Sequence, residues 1–302
     1  VNTFELPTKA GAYRWYYVDV TSGDYSAVFI FMAGSLFSAR YAEAATRGGL
    51  PREYAAVNFA LYEKGTRRQW VLSEYDDARV EEGGRELRIG ASWLRYADGR
   101  LQGRVEDRTT PFMLTGWGRP TTVTLDFTPE GPTAPEVELV PGLSHRWRPI
   151  AARGTAVVTL PELGLTLRGH GYHDGNHGDV PLWSDLPGWD WVRVHTPEAT
   201  EITYRPWADA PATLVHVDAQ RAEVRRAPLP APLTTRSAWG LPVPRAPGMT
   251  VAPRLLESSP FYARTEANEG DRAALGEVAD FERFARPSIR WMASFRTRRG
   301  AA

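Results

Sequence analysis

The chain has 302 residues, with 36 basic and 36 acidic side chains for a formal net charge of zero, and an ordinary apolar share of 42%. That balance gives no electrostatic reason to bind nucleic acid, and the lack of cysteine excludes disulfides, thiolate metal sites and cysteine nucleophiles. No run approaches the roughly 20 apolar residues of a spanning helix, and "VNTFELPTKAGAY" has no basic start followed by an apolar core, so a cytoplasmic location is expected. Beside 12 Tyr and 11 Phe, the 11 Trp exceed what core packing usually needs, which suits extra core or an aromatic-lined pocket.

In chain order, "AVFIFMAGSLF" is strongly apolar but too short to span a membrane. "FSARYAEAATRGG" (Phe37–Gly49) predicts a short helix, begun near Ser38 and stopped by Gly48-Gly49. "RELRIGASWLRYADGRLQGRVED" reads as three strands, the last two joined by a hairpin at Ala97-Asp98-Gly99. "TTVTLDFTPEG" alternates Val123, Leu125 and Phe127 with polar residues, as a half-buried strand does. "TAVVTLPELGLTLRGHGY" is two strands broken at Pro161, and "ATEITYRPW" and "TLVHVDAQRAEVRR" continue the strand habit. "RRAPLPAPLTTRSAWGLPVPRAP" reads as a long ordered crossing or a loop, and "RPSIRWMASF" as a second short helix. The expectation is an all-β, antiparallel protein with few short helices. Its size favours two β units, residues 1–150 and 151–302, with the boundary in "RWRPIAARG".

The densest polar stretch is "GHGYHDGNHGD" (169–179), which holds three of the six histidines. His170, His173, Asp174, His177 and Asp179 are candidate metal ligands. Their spacing matches no helix-based zinc motif, strand alternation sends His173 away from Asp174, and the calcium-loop oxygen pattern is incomplete, so no metal is expected. Asp174-Gly175-Asn176 is also good turn chemistry. There is no Gly-x-Ser-x-Gly elbow and no phosphate-cradling glycine loop. The basic "SFRTRRG" suits a solvated tail or a weak membrane-surface contact.

Seven islands occur in an order that resembles the carotenoid 1,2-hydratases, also called hydroxyneurosporene synthases. They are "GAYRWYYVDV", "GSLFSARY", "NFALY", "HRWRPI", "GHGYHDGNHGD", "WDWVR" and "LESSPFYAR". The wider lipocalin-like group also includes fungal pericyclases that close decalin rings. The resemblance implies two β-barrel or β-sandwich halves with the ligand between or within them. It implies cofactor-free addition of water across the terminal C1–C2 double bond of an acyclic carotenoid. The family's active residues fall on His145, Trp147, Tyr172 and Asp174. The sequence departs from the family pattern at Ala39-Arg40, Tyr54, His177, Val192 and Ser294–Arg298, which bears on the substrate more than on the reaction type. The implied partners are an apolar polyene and water, with a peripheral membrane contact to reach the polyene.

The chemistry asks for an acid that stays neutral near pH 7, and an apolar surround achieves this for a carboxyl by penalising its charged form. Asp174 is the candidate donor. Tyr172, two residues earlier, shares its face on a strand. Trp147 and Tyr172 are expected to stabilise the cation through their ring faces. Trp189, Trp191, Tyr17 and Phe37 are expected to bind substrate. His145, on the face of Trp147, is expected to hydrogen-bond Asp174 or to take a proton from the attacking water. A cyclase on the same scaffold and a non-catalytic carrier of an apolar ligand are the rival readings.

Overall fold

A computed structural model describes residues 2–110, 118–228 and 234–300. Strand makes up 55% of the chain and helix 11%, which establishes the all-β class.

The first sheet is built from β1 (Tyr13–Ser22), β2 (Tyr25–Ala33), β3 (Ala55–Glu63), β4 (Thr66–Tyr75), β5 (Ala78–Val80), β6 (Glu86–Ile89) and β7 (Ser92–Ala97). It continues with β8 (Arg100–Arg108), β9 (Pro120–Pro129), β10 (Val137–Glu138), β11 (Arg146–Ala151), β12 (Gly154–Leu160) and β13 (Leu165–Gly178). A second sheet contains β14 (Gly188–His195), β15 (Ala199–Pro206), β16 (Ala212–Asp218) and β17 (Ala222–Ala227), and a small pair β18 (Thr234–Arg236) and β19 (Pro242–Pro244) follows. The second sheet is completed by β20 (Arg254–Ser258), β21 (Tyr262–Glu269) and β22 (Arg272–Asp280), in the order β17-β16-β15-β14-β22-β21-β20. The helices are α1 (Ala39–Ala44), α2 (Leu182–Asp185), α3 (Phe281–Phe284) and α4 (Pro287–Ser294).

Local chemistry accounts for these elements. The β7–β8 hairpin turns through Asp98 (φ 51°) and Gly99 (φ 74°), the paired positive angles that a tight two-residue turn demands. Ser38 caps α1 by accepting from the Tyr41 N–H, a 3₁₀ turn extends it to Arg47, and Gly48 (φ 88°) ends it. The α4 helix falls in the C-terminal segment expected to be helical, with Pro287 in its first turn. Part of the proline-dense crossing, 229–233, lies outside the described residues; the rest supplies β18 and β19.

The first sheet curls, so one face closes around Val18, Phe29, Phe59, Leu125 and Phe127, and the other packs on the second sheet through Tyr17, Ile30, Trp147, Tyr172, Trp191 and Tyr204. Central strands are therefore buried on both faces. That is why "AVFIFMA" runs continuously apolar in β2, whereas β9 alternates.

Two expectations need correction. The switch between sheets comes at residues 179–187, and "RWRPIAARG" runs through β11 and into β12, inside the first sheet. The reason is the 14-residue length of β13, which pairs with β1, β11 and β12 at once and keeps residues past 151 in the first sheet. The basic C-terminal segment is also no free tail. It adds a short strand, β23 (Arg298–Arg299), parallel to β4, and its arginines meet Asp107, Glu74 and Asp76.

The sheets are joined by charge as well as by aromatic rings. Arg193 of β14 pairs with Asp19 of β1, both wholly buried. Ser26 donates to Glu266 (3.0 Å), and Arg264 donates to the Tyr62 hydroxyl (2.9 Å). Among the described residues no helix is long and apolar enough to cross a membrane. Asp19→Ala strands the Arg193 charge and is expected to cost about 3–5 kcal/mol in chemical denaturation, more than the double replacement Asp19→Leu with Arg193→Met.

Candidate active site

Asp174 sits in the middle of β13, not in a turn, opposite Tyr17 of β1 on one side and Pro149 of β11 on the other. Alternation turns Tyr172, Asp174 and Asn176 toward the second sheet and sends His173 into the curl of the first. Glycine is needed where a neighbouring ring presses on the strand. A Cβ on Gly171 would lie 2.7 Å from the Phe127 ring, so no larger residue fits there.

Three side chains hold the Asp174 carboxyl. Its Oδ2 accepts from the Tyr172 hydroxyl (2.7 Å) and from Trp147 Nε1 (2.9 Å), and its Oδ1 accepts from Asn176 Nδ2 (3.1 Å). Burial pushes its pKa up to about 7, against the pull of the Tyr172 and Trp147 donors, and the carboxylates of Glu277 and Asp19 add to the rise. Oδ2 carries two donors and Oδ1 one, so Oδ1 has the freer lone pair for a proton.

A narrow cleft opens in front of this carboxyl, between the sheets. The first sheet lines it with Trp15, Tyr17, Asp174 and Asn176, and the second with Trp189, Trp191, Tyr204 and Glu277. The rings interlock. Trp191 stands edge-on to Tyr17 (5.6 Å between centroids), and Tyr204 stands edge-on to Trp189 (5.5 Å) and Trp147 (5.2 Å). Among the described residues the buried Nε1 groups of Trp189 and Trp191 have no hydrogen-bond partner, leaving two donors for a polar guest.

The structure revises several expected roles. Trp147 and Tyr172 stand behind the carboxyl as its donors, and neither lines the cleft. His145 makes no hydrogen bond to Asp174. Its Nδ1 meets the Tyr13 hydroxyl (2.6 Å) and its Nε2 the Tyr204 hydroxyl (3.2 Å). Burial lowers its pKa to about 3, so the imidazole is neutral, and it stands behind the cleft wall, bonded to Tyr204 and stacked on Trp15 (5.6 Å). Phe37 packs on Phe261 (5.6 Å) and Tyr262 (5.3 Å) and is not part of the cleft wall. Tyr17, Trp189 and Trp191 do line the cleft.

The other histidines diverge. His173 bonds the Tyr96 hydroxyl (2.6 Å), His177 pairs with Glu136 (3.1 Å), and the His170 ring lies 6.0 Å from that of His195. Among the described residues no three His, Asp or Glu side chains gather as a metal-ligand group.

The sequence reading missed Trp15, Asn176, Tyr204 and Glu277. Trp15 and Asn176 follow from alternation, two residues from Tyr17 and Asp174. Tyr204 is the cross-strand partner of Trp191. Glu277 leaves one trace, a carboxylate within the otherwise apolar "AALGEVA".

The sequence model of carotenoid hydratase CrtC matches residues 28–302. The chain belongs to the carotenoid hydratase family. It is 33% identical to the acyclic carotenoid 1,2-hydratase of Thiocapsa roseopersicina, over 97% of this chain and 74% of that one. It is 31% identical to the protein of the same name from Rubrivivax gelatinosus, over 91% of this chain and 68% of that one. The crystal structure of CghA with Sch210972 matches with a TM-score of 0.50 at 10% identity, covering 93% of this chain and 94% of that one, which shows a shared fold.

Because the folded carboxyl titrates above its ordinary value of 3.8, the native state binds more protons than the unfolded chain between about pH 4 and pH 7. The Asp174 contribution to stability is therefore present at low pH and lost as pH rises through about 7. Chemical denaturation across that window is expected to show the wild type losing stability relative to Asp174→Asn as pH rises.

Proposed function

We propose that this carotenoid hydratase adds water across the terminal double bond of an acyclic carotenoid, with Asp174 as the acid. The observation that carries this reading is a carboxyl titrating near 7 beside an aromatic-walled cleft. Proton transfer from Asp174 to C2 breaks the π bond and leaves a tertiary cation at C1. The faces of Tyr17, Trp189 and Trp191 suit that cation, each worth about 0.5–2 kcal/mol. The carboxylate left behind is the form that Tyr172, Trp147 and Asn176 stabilise as donors, which lowers the cost of giving up the proton. Water then captures C1 as a tertiary alcohol.

The cleft is narrow, so a polyene would present only its end group to Asp174 and the rest of its chain would extend beyond the site. A substrate of this kind partitions into lipid, and a peripheral membrane contact for loading belongs to the same reading. The exposed Trp239 and Trp291 are side chains suited to such an interface.

In H₂¹⁸O the label is expected in a tertiary alcohol; an unlabelled cyclic product would replace hydration with cyclisation. Asp174→Asn is expected to lower kcat by at least ~100-fold without loss of the fold by circular dichroism. Wild-type activity is expected to decline as pH rises through about 7, because the protonated carboxyl is the active form. Trp147→Phe removes a donor that favours the ionised form, so it should move that decline to higher pH while also lowering kcat.

A further inference from the structure

Hydration needs a second proton transfer, because water bound to a carbocation must lose a proton to become an alcohol. His145 is poorly suited to take it, since both ring nitrogens face tyrosine hydroxyls and its ring lies behind Trp15 and Tyr204, outside the cleft lining. Asp174, which has just released its proton, lies on the first sheet. On the facing sheet the cleft has another carboxylate, Glu277 of β22.

Resting on the hydration reading above, we infer that Glu277 orients the attacking water and accepts its proton. Glu277 is only 7% exposed, yet it lines the cleft. Its Oε1 accepts from Arg264 Nε at 2.9 Å, and among the described residues no group donates to its Oε2. Arg264 is itself immobilised by Glu257 (3.2 Å), the Tyr62 hydroxyl (2.9 Å) and the Tyr262 ring beneath it (5.7 Å). One oxygen is thus fixed by a buried guanidinium, and the other is free to accept from a water in the cleft. Trp191, the cross-strand neighbour of Glu277, offers an unpartnered indole N–H in the same wall.

The acid and the base then stand on opposite sheets with the substrate between them. The C2–H bond forms with the Asp174 proton as the π bond breaks. The water oxygen bonds to C1, and one of its O–H bonds breaks with the proton passing to Glu277 Oε2. Turnover leaves Asp174 ionised and Glu277 protonated, and proton exchange with cleft water restores both.

The test is Glu277→Gln, whose amide oxygen can still accept from Arg264, assayed with an acyclic carotenoid in D₂O and in H₂¹⁸O. Alcohol formation is expected to fall by ~100-fold or more. The recovered polyene should still gain deuterium at C2, because Asp174 keeps making a cation that in part collapses to alkene by breaking the C2–H bond, with that proton returning to the Asp174 carboxylate, and not the new C2–D bond. Asp174→Asn should lose both signals. Glu277→Asp, which keeps the charge but shortens the reach, should retain part of the alcohol yield and raise the ratio of exchange to hydration. That variant carries the test alone if Glu277→Gln does not fold. Wild-type alcohol formation in Glu277→Gln, an unchanged ratio in Glu277→Asp, or loss of exchange together with hydration in a folded variant would overturn the inference. A wild type that incorporates no ¹⁸O at all overturns the hydration reading itself.

Discussion

The site depends on a contest at one carboxyl group. Three donors point at Asp174, and in water they would hold it ionised. Burial opposes them and prevails, so the group titrates near 7. The balance suits proton transfer in both directions. Desolvation keeps the acid protonated before reaction, and the donors receive the charge afterwards. An apolar pocket without donors would make a weaker acid, and a solvated carboxylate would have no proton to give.

The architecture supplies both halves of this balance. Long β13, paired with three neighbours, fixes the backbone under Asp174 and aligns it with Tyr172 and Asn176 on one face. β11 brings Trp147 alongside, with the register pairing Trp147 to Asn176. The second sheet then covers the carboxyl with Trp189, Trp191 and Tyr204 and excludes bulk water. The buried Asp19–Arg193 pair and the hydrogen bond from Arg264 to the Tyr62 hydroxyl hold the two sheets together across the same layer. Geometry at the acid is thus a property of both sheets, although each residue that touches the carboxyl comes from one.

Much of this was legible in the sequence, because local rules determine it. The Asp98-Gly99 hairpin, the Ser38 cap and the alternation of β9 were read from turn, cap and periodicity chemistry. Alternation also gave Tyr172 and Asp174 a common face. What failed was long-range. His145 was expected to touch Asp174, but sequence spacing cannot show that Tyr13 and Tyr204 converge on its two nitrogens. Phe37 was given a substrate role that its packing on Phe261 and Tyr262 does not support. The boundary near 150 failed because nothing local announces that β13 serves three partners. Glu277 went unread because its meaning lies in facing Asp174 from another sheet.

The most direct measurement is infrared titration of the Asp174 carboxyl in the substrate-free protein, with its protonated C=O band assigned by loss of that band in Asp174→Asn. The account predicts a band that persists into the neutral range and half-disappears near pH 7. A band that vanishes near the ordinary aspartate value of 3.8 would mean that the donors outweigh burial, and the acid at the centre of this account would not exist.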